Sequence, residues 1–186
     1  TQVNPHFLSN NLNTLSELID EDTKAADRFL NEMSKVYRYM LRSRHHSWAT
    51  LQLELQCLQS YMYLHKVRYG SLLRFEQAIC KTQLEWRIPA LSLSLIAEEA
   101  IRTSQFSKAE PLVISLFSED DHLVLSYGHK PKYRLIESEG LNWAFLSDRY
   151  AEEGLAGFSC SKKADTITVL LPLLQPVEIH RTACVS

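Results

Sequence analysis

Glycine is scarce in this chain. Only 5 glycines occur among its 186 residues, where an average usage of about 7% would give roughly 13. Loops that hold phosphate groups depend on glycine, because its backbone turns left-handed and approaches a ligand closely. The five are Gly70, Gly128, Gly140, Gly154 and Gly157. They form neither a GxGxxG nor a GxxxxGK pattern, so the common phosphate-binding loops of nucleotide enzymes are excluded.

Paired cysteines, excess basic charge and long apolar runs are absent as well. The four cysteines are Cys57, Cys80, Cys160 and Cys184. None belongs to a CxxC pattern, which argues against a zinc site and is typical of thiols that stay reduced. A net charge of -2 gives no electrostatic reason to expect nucleic acid as a partner. The longest apolar stretches, such as 88–97 and 167–174, are far shorter than the ~20 residues of a membrane helix.

Apolar residues recur at spacings of three and four through the first seventy residues, which predicts helices. Asn4 followed by Pro5 is a good helix start, because asparagine accepts hydrogen bonds at the N-cap and proline is preset to a helical φ. The acidic run 20–22 interrupts the pattern before a second helix. Thr50 can cap a third helix, which is predicted to end at residues 68–70.

After Gly70 the pattern changes to alternation, which is typical of strands. The predicted elements are a strand at 73–81, a helix at about 89–104, a hairpin of 112–117 with 122–127, a helix at 140–153, and a hairpin of 157–161 with 166–171. The predicted fold class is α+β, with helices on one face of a mostly antiparallel sheet. We expect a helical region over 1–70, an α/β sandwich over 71–176 and a loose tail over 177–186.

Several stretches, in the right order, resemble the LytS-type sensor histidine kinases. The phosphoacceptor motif of that family, QxNPHFLFNxLN, is similar to residues 2–13, which read QVNPHFLSNNLN. The family's LSxLLRYxL resembles residues 33–41, and its EL helix with a final Arg-aromatic pair resembles 54–69. Its IPPxLLQPLVENAxKHG is similar to residues 88–104. The resemblance covers about residues 1–174.

This resemblance implies a helical region that carries the phosphoacceptor and forms a homodimer, followed by an ATP-binding sandwich of the GHKL type. It implies ATP and Mg²⁺ as cofactors and a response regulator as partner. The chemistry implied is transfer of the γ-phosphoryl group of ATP to a histidine and then to the regulator, a two-component phosphorelay. The chain opens on Thr1 without an initiator methionine. The resemblance implies a membrane segment upstream of this chain, and so a cytoplasmic domain of an inner-membrane sensor.

Three residues of the helical region are candidates for the phosphoacceptor chemistry. His6 is the phosphoacceptor candidate, and a nearby helix start disfavours imidazolium, which keeps a ring nitrogen free as nucleophile. Asn10 shares the helical face of His6 and can hold the imidazole or a phosphate. Arg38 can guide phosphate. Each also has a structural interpretation: a surface histidine, a capping asparagine and an exposed cation on an amphipathic helix.

The positions that resemble the ATP-binding boxes depart from the family pattern. The asparagine that ligates Mg²⁺ in the family is Glu99 here, directly after Glu98 and three residues before Arg102. A carboxylate can bind Mg²⁺, yet it adds negative charge beside a triphosphate. No aspartate follows the strand at 122–127 to accept from adenine. In the GxGLxN turn only Gly140 matches clearly, because serine and tryptophan replace one glycine and the closing asparagine.

Two functions remain open from the sequence. The departures favour a degenerate relative, a pseudokinase that keeps the dimerising helices and the sandwich as a signalling or interaction module. The alternative is an active ATP-dependent sensor kinase that phosphorylates His6. Other catalytic classes lack their motifs, since the chain has no GxSxG, no HExxH and no cysteine with a motif-placed histidine.

Overall fold

The structure is a computed structural model that describes residues 4–130 and 143–176. In chain order its main elements are α1 (Pro5–Glu21), α2 (Thr23–Ser43), β1 (Trp48–Thr50), α3 (Leu51–Tyr69), β2 (Leu73–Ala78), β3 (Arg87–Pro89), α4 (Ser92–Thr103), β4 (Leu112–Glu119), β5 (His122–Gly128), α5 (Trp143–Glu152), β6 (Ser159–Lys163) and β7 (Thr166–Pro172). The predicted α+β class, with helices first, is confirmed. Within the described ranges, no helix is both long and apolar enough to span a bilayer.

The first two helices begin and end where the sequence predicts. Asn4 caps α1 by accepting from the backbone N–H of His6 at 3.0 Å. Asp22 then separates α1 from α2, and its carboxylate accepts from the N–H groups of Lys24 and Ala25 at 3.0 and 3.1 Å. An acceptor at this position satisfies the free N–H groups of the first turn. The acidic run that interrupts the apolar pattern is therefore the cap of the second helix.

The main sheet has five strands in the order β2-β4-β5-β7-β6. Only β2 and β4 pair in parallel, and the other three pairings are antiparallel, so the predicted mostly antiparallel sheet is confirmed. Both predicted hairpins are present. Their turns contain Asp120 and Ala164, each with a φ of 50°, a left-handed conformation that aspartate tolerates better than alanine.

Two element boundaries differ from the prediction. The helix expected from residue 89 begins at Ser92, because Arg87–Pro89 form β3, which pairs antiparallel with β1 in a second, two-stranded sheet. The strand expected over 73–81 ends at Ala78 and is followed by a short 3₁₀ turn. The predicted helix at 140–153 is present as α5, whereas Gly140 and the predicted tail 177–186 lie outside the described residues.

Helix α3 lies at the centre of the packing. It contacts α2, α4 and β2. Nine of its 19 residues are buried, which is typical of a helix surrounded by other elements. Its side chains share one hydrophobic core with the sheet, in which Leu58, Leu93, Ile114 and Val169 are each 0% exposed. Elements from both halves of the chain therefore depend on α3.

A carboxylate is buried in this core. Glu54 of α3 is 0% exposed. It accepts hydrogen bonds from the hydroxyl of Tyr39 on α2 and from the backbone N–H groups of Leu91 and Leu93, the latter two at 2.6 and 3.3 Å. Burial raises the pKa of Glu54 to about 7, and these three hydrogen bonds act against the rise.

A histidine of the same helix lies among aromatic rings. The ring centroid of His65 is 4.6 Å from that of Tyr61, 5.4 Å from that of Phe7 and 6.1 Å from that of Tyr69. The residue is half-buried, and its Nε2 atom is buried without a hydrogen-bond partner. Burial lowers the pKa of His65 to about 4, with a further contribution from the charge of Arg68.

We expect Glu54 to make the protein less stable as the pH rises. The folded pKa is about 7 against an ordinary 4.5, so between these values the folded state holds a proton that the unfolded state has released. The unfolding free energy of the wild type relative to Glu54→Gln should fall by about 3 kcal/mol between pH 4.5 and 7.5. Urea unfolding at several pH values measures this. Glu17→Gln, at an exposed site, is the control. The prediction would be contradicted if the difference in unfolding free energy between the wild type and Glu54→Gln were as independent of pH as the difference for Glu17→Gln.

We expect His65 to act in the opposite direction. Its folded pKa is about 4 against an ordinary 6.5, so between these values the unfolded state binds the extra proton and stability is lost as the pH falls. Relative to His65→Phe, the wild type should lose about 2 kcal/mol between pH 6.5 and 4, a figure reduced from the full shift because the ring is half-buried. The same unfolding series measures it, with His45→Phe at an exposed site as control. A loss on raising the pH would refute the assignment.

Candidate functional site

His6 lies in the first turn of α1 and is exposed. Its backbone N–H is bound by the Asn4 cap, and Pro5 occupies the first helical position. At this end of a helix the macrodipole is positive, which favours an attached phosphate. The placement is therefore compatible with the phosphoacceptor role that the motif predicts.

The neighbour of His6 in the motif points into the protein. Phe7 is 6% exposed, and its ring stacks on Tyr61 of α3 at a centroid distance of 4.9 Å. It also lies 6.2 Å from the ring of Tyr37 on α2. Aromatic contacts of this kind add to the burial of apolar area. Phe7 thus anchors the first turn of α1 on α2 and α3, next to a histidine that stays accessible.

A second contact joins α1 to α4. The side-chain amide of Asn4 donates a hydrogen bond to Oε1 of Glu98. Glu98 is half-buried, and desolvation raises its pKa against the opposing effects of this hydrogen bond and of Arg102. The sequence predicts Asn4 as a cap and Glu98 as part of an ATP box, but not their contact. The two are 94 residues apart, and no local pattern could have indicated that they meet.

Glu99 faces different partners from its neighbour. Its Oε2 lies 2.8 Å from Nη2 of Arg102, one turn further along α4, and only 14% of its side chain is exposed. Its charge also reaches Tyr127 at the end of β5 and Cys160 on β6, and it adds there to the burial that raises the pKa of both groups. The adjacent carboxylates therefore belong to two surfaces of α4, one toward α1 and the other toward the sheet.

The end of β5 contributes a histidine to this second surface. Nδ1 of His129 lies 3.2 Å from the hydroxyl oxygen of Ser104, directly after α4. Burial lowers the pKa of His129, with the charge of Lys162 acting in the same direction and that of Glu99 opposing it. No sequence motif indicated His129 as a site residue. It follows a predicted strand and lies among basic residues, a pattern that predicts only a loop.

A cavity of about 190 Å³ lies between the end of α2, α4 and α5. Its lining includes Arg44, Tyr61, Leu95, Glu98, Phe145 and Arg149. The hydroxyl of Tyr61 is buried without a hydrogen-bond partner. Arg149 donates to the hydroxyl of Ser47 at 2.8 Å and so ties α5 to the segment after α2. Residues of α2, α3, α4 and α5 line the cavity, and Glu98, one of the two adjacent carboxylates, is among them.

The structure describes the other two candidate residues of the helical region without joining them to His6. Asn10 is half-buried on α1, and no hydrogen bond links its side chain to His6 in the described ranges. Arg38 is exposed on α2, where its Nε donates to the carbonyl of Ser34 at 3.3 Å. It belongs to a stripe of exposed cations at spacings of three, four and seven, namely Lys24, Arg28, Lys35, Arg38 and Arg42.

The two carboxylates at the position of the family's Mg²⁺ ligand already have partners in the described structure. Glu99 is already paired with Arg102, and Glu98 is bound by Asn4. In residues 4–130 and 143–176, no group of three His, Cys, Asp or Glu side chains could hold a metal ion. Mg²⁺ in nucleotide sites is usually held by one or two carboxylates together with phosphate oxygens and waters, rather than by a set of protein ligands alone. Gly140, which matched the phosphate turn in the sequence, lies outside the described residues.

Comparison with known proteins supports the resemblance seen in the motifs. The sequence profile of the family described as histidine kinase matches residues 1–73. Sensor histidine kinase BtsS of Escherichia coli (strain K12) is 35% identical over 126 residues, covering 67% of this chain and 22% of that protein. Sensor protein LytS of Staphylococcus saprophyticus is 28% identical over 144 residues, covering 75% and 24%. The chain spans about a quarter or less of the length of these curated relatives.

Among solved structures, the Acinetobacter baumannii histidine kinase AdeS has a TM-score of 0.46 and 12% sequence identity, covering 91% of this chain and 96% of that one. Structural similarity at this level gives no information about the candidate site. The sequence matches, together with the order of the motifs, confirm the predicted family. The chain belongs to the LytS-type sensor histidine kinases.

Proposed function

We propose that the chain is the cytoplasmic part of an inner-membrane two-component sensor protein whose nucleotide site has lost ordinary ATP binding. It would then act as a pseudokinase, a signalling module that keeps the fold of its relatives without ATP turnover. The observation that carries this proposal is the ion pair between Glu99 and Arg102, at the position where the family has its Mg²⁺-ligating asparagine.

The charge balance on α4 supports this proposal. Glu98 and Glu99 stand at consecutive positions, both only partly exposed, where Coulomb interactions are screened less than in water. A triphosphate brought beside them would meet two carboxylates. Arg102 neutralises part of that charge, but its ion pair with Glu99 competes with phosphate oxygens for the guanidinium. The same residues that would have to hold the nucleotide are thus satisfied by one another.

An active kinase is the second candidate, and one observation favours it. His6 is exposed at the positive end of α1, and the contact between Asn4 and Glu98 holds this end against the candidate nucleotide helix. Such an arrangement brings the phosphoacceptor close to α4, as transfer from a bound nucleotide would require. The two candidates therefore differ in the nucleotide site and agree on the role of α1.

The helical region offers surfaces for the partners that we propose. Large apolar side chains are exposed on α1 and α2, namely Leu8, Leu12, Ile19, Leu30 and Leu41. Those of α1 fall on one helical face, which supports a homodimer through the N-terminal helices. The cationic stripe of α2, which includes Arg38, supports docking of an acidic face of a response regulator. The membrane would be reached only through a segment upstream of this chain.

The division of the chain at residue 70 stays a prediction. The pairing of β1 with β3 and the packing of α3 on α4 and β2 support an alternative boundary ahead of β1, near residue 47. In that case α3 would belong to the sandwich, and α1 with α2 would form the phosphoacceptor region.

We expect no phosphorylation of His6 by ATP. After incubation with Mg²⁺ and γ-labelled ATP, the wild type should carry no more acid-labile label than His6→Ala. His45→Ala, which removes another exposed histidine, is the matched control. Label that is present in the wild type and in His45→Ala, but lost in His6→Ala, would overturn the pseudokinase proposal and establish the active kinase.

We expect Glu99→Asn to restore nucleotide binding in part, because it removes one carboxylate and frees Arg102. A ligand at 100 times its dissociation constant stabilises the folded state by about 2.7 kcal/mol, which a thermal shift with Mg²⁺ and ATP detects. The wild type and the exposed control Glu17→Asn should show no shift at millimolar ATP. A wild-type shift of that size would mean that the carboxylate does not prevent binding.

A further inference from the structure

Helix α4 begins without an acceptor of its own. Leu91 occupies its N-cap position with a left-handed backbone, φ 68°, and makes no side-chain cap. The first N–H groups of a helix have no partner within the helix, and a leucine with positive φ is strained. The start of α4 therefore depends on groups supplied by other parts of the chain.

The missing cap comes from α3. The carboxylate of Glu54 accepts from the N–H of Leu91 at 2.6 Å through one oxygen and from the N–H of Leu93 at 3.3 Å through the other. A negative charge at the start of a helix is favoured by the macrodipole. Glu54 thus satisfies two N–H groups at the start of α4 and holds Leu91 in its strained conformation.

The same carboxylate is bound by α2. Tyr39 donates its hydroxyl to the oxygen of Glu54 that also binds Leu91. Within the described ranges no cation pairs with Glu54, which is fully buried. The other titratable groups that act with it are Cys57 on α3 and Tyr150 on α5, and burial raises the pKa of both. The carboxylate is therefore stabilised by three hydrogen bonds alone, one from α2 and two from the start of α4.

We propose that Tyr39 and Glu54 are positioning residues that couple α2 to the first turn of α4. Tyr39 orients the carboxylate, and the carboxylate orients the helix that carries Glu98 and Glu99. A movement of α2 that withdraws the Tyr39 hydroxyl removes one hydrogen-bond donor from the buried carboxylate of Glu54, which is energetically unfavourable. The start of α4 is therefore expected to move together with α2. A role of this coupling in signalling rests on the proposed function, whereas the coupling between α2 and α4 does not.

The test follows the amide signals of Leu91 and Leu93 by NMR in the wild type and in Tyr39→Phe. This substitution removes the hydroxyl and keeps the ring. Without the donor, both amides should exchange with solvent about tenfold faster or more, since a hydrogen bond to a charged group is strong. The matched control is Tyr63→Phe on α3, whose ring lies under Arg28. It should leave both amides unchanged.

A pH series separates positioning from a merely structural role. In the wild type the two amide signals should move together with a midpoint near the pKa of Glu54, about 7. In Tyr39→Phe the midpoint should rise, because the hydrogen bond from Tyr39 lowers that pKa. In Glu54→Gln, which keeps an oxygen acceptor, the pH dependence should vanish while the amides stay protected.

The proposal is overturned if Tyr39→Phe leaves the two amides and their midpoint as in the wild type, or if Tyr63→Phe changes them equally. Neither result depends on ATP, so a chain that binds no nucleotide can still pass this test. A failed test would leave the proposed function standing.

Discussion

The burial of one carboxylate is the constraint on which the arrangement of the helices depends. Removing Glu54 from water is unfavourable unless its oxygens are fully hydrogen-bonded. The three donors come from a tyrosine of α2 and from the backbone at the start of α4. A buried carboxylate that is satisfied only when three helices are in place favours one arrangement of those helices over others that bury the same apolar area.

The contacts of α1 extend this arrangement to the phosphoacceptor motif. Phe7 lies against the rings of α2 and α3, and Asn4 binds Glu98 of α4. Consecutive residues of the motif therefore differ in exposure, because Phe7 is buried and His6 is accessible. The order of residues in the motif has a physical reason, since a histidine between an anchored cap and an anchored aromatic ring is held in place without being covered.

Local patterns predicted most of the fold. Apolar spacing indicated the helices, Asn4 and Asp22 marked their starts, and alternation indicated both hairpins. The start of α4 was misplaced because Pro89 is compatible with a first helical turn, whereas its pairing partner in β1 lies 41 residues away at Trp48. The role of Glu54 could not be predicted either. A glutamate in the first turn of a helix normally interacts with that helix's own end and with water, and nothing near it in the sequence indicates the N–H groups of Leu91 and Leu93.

One of the two edge strands of the main sheet, β6, influences how copies of this chain can pair. All five residues of β6 are exposed, and it ends in two lysines. An outer strand leaves a row of backbone groups unpaired, which invites the sheet of another molecule to extend it. Positive charge at Lys162 and Lys163 opposes that kind of growth because like charges would face each other across the new pairing. Such repulsion disfavours edge-to-edge pairing of two copies at β6.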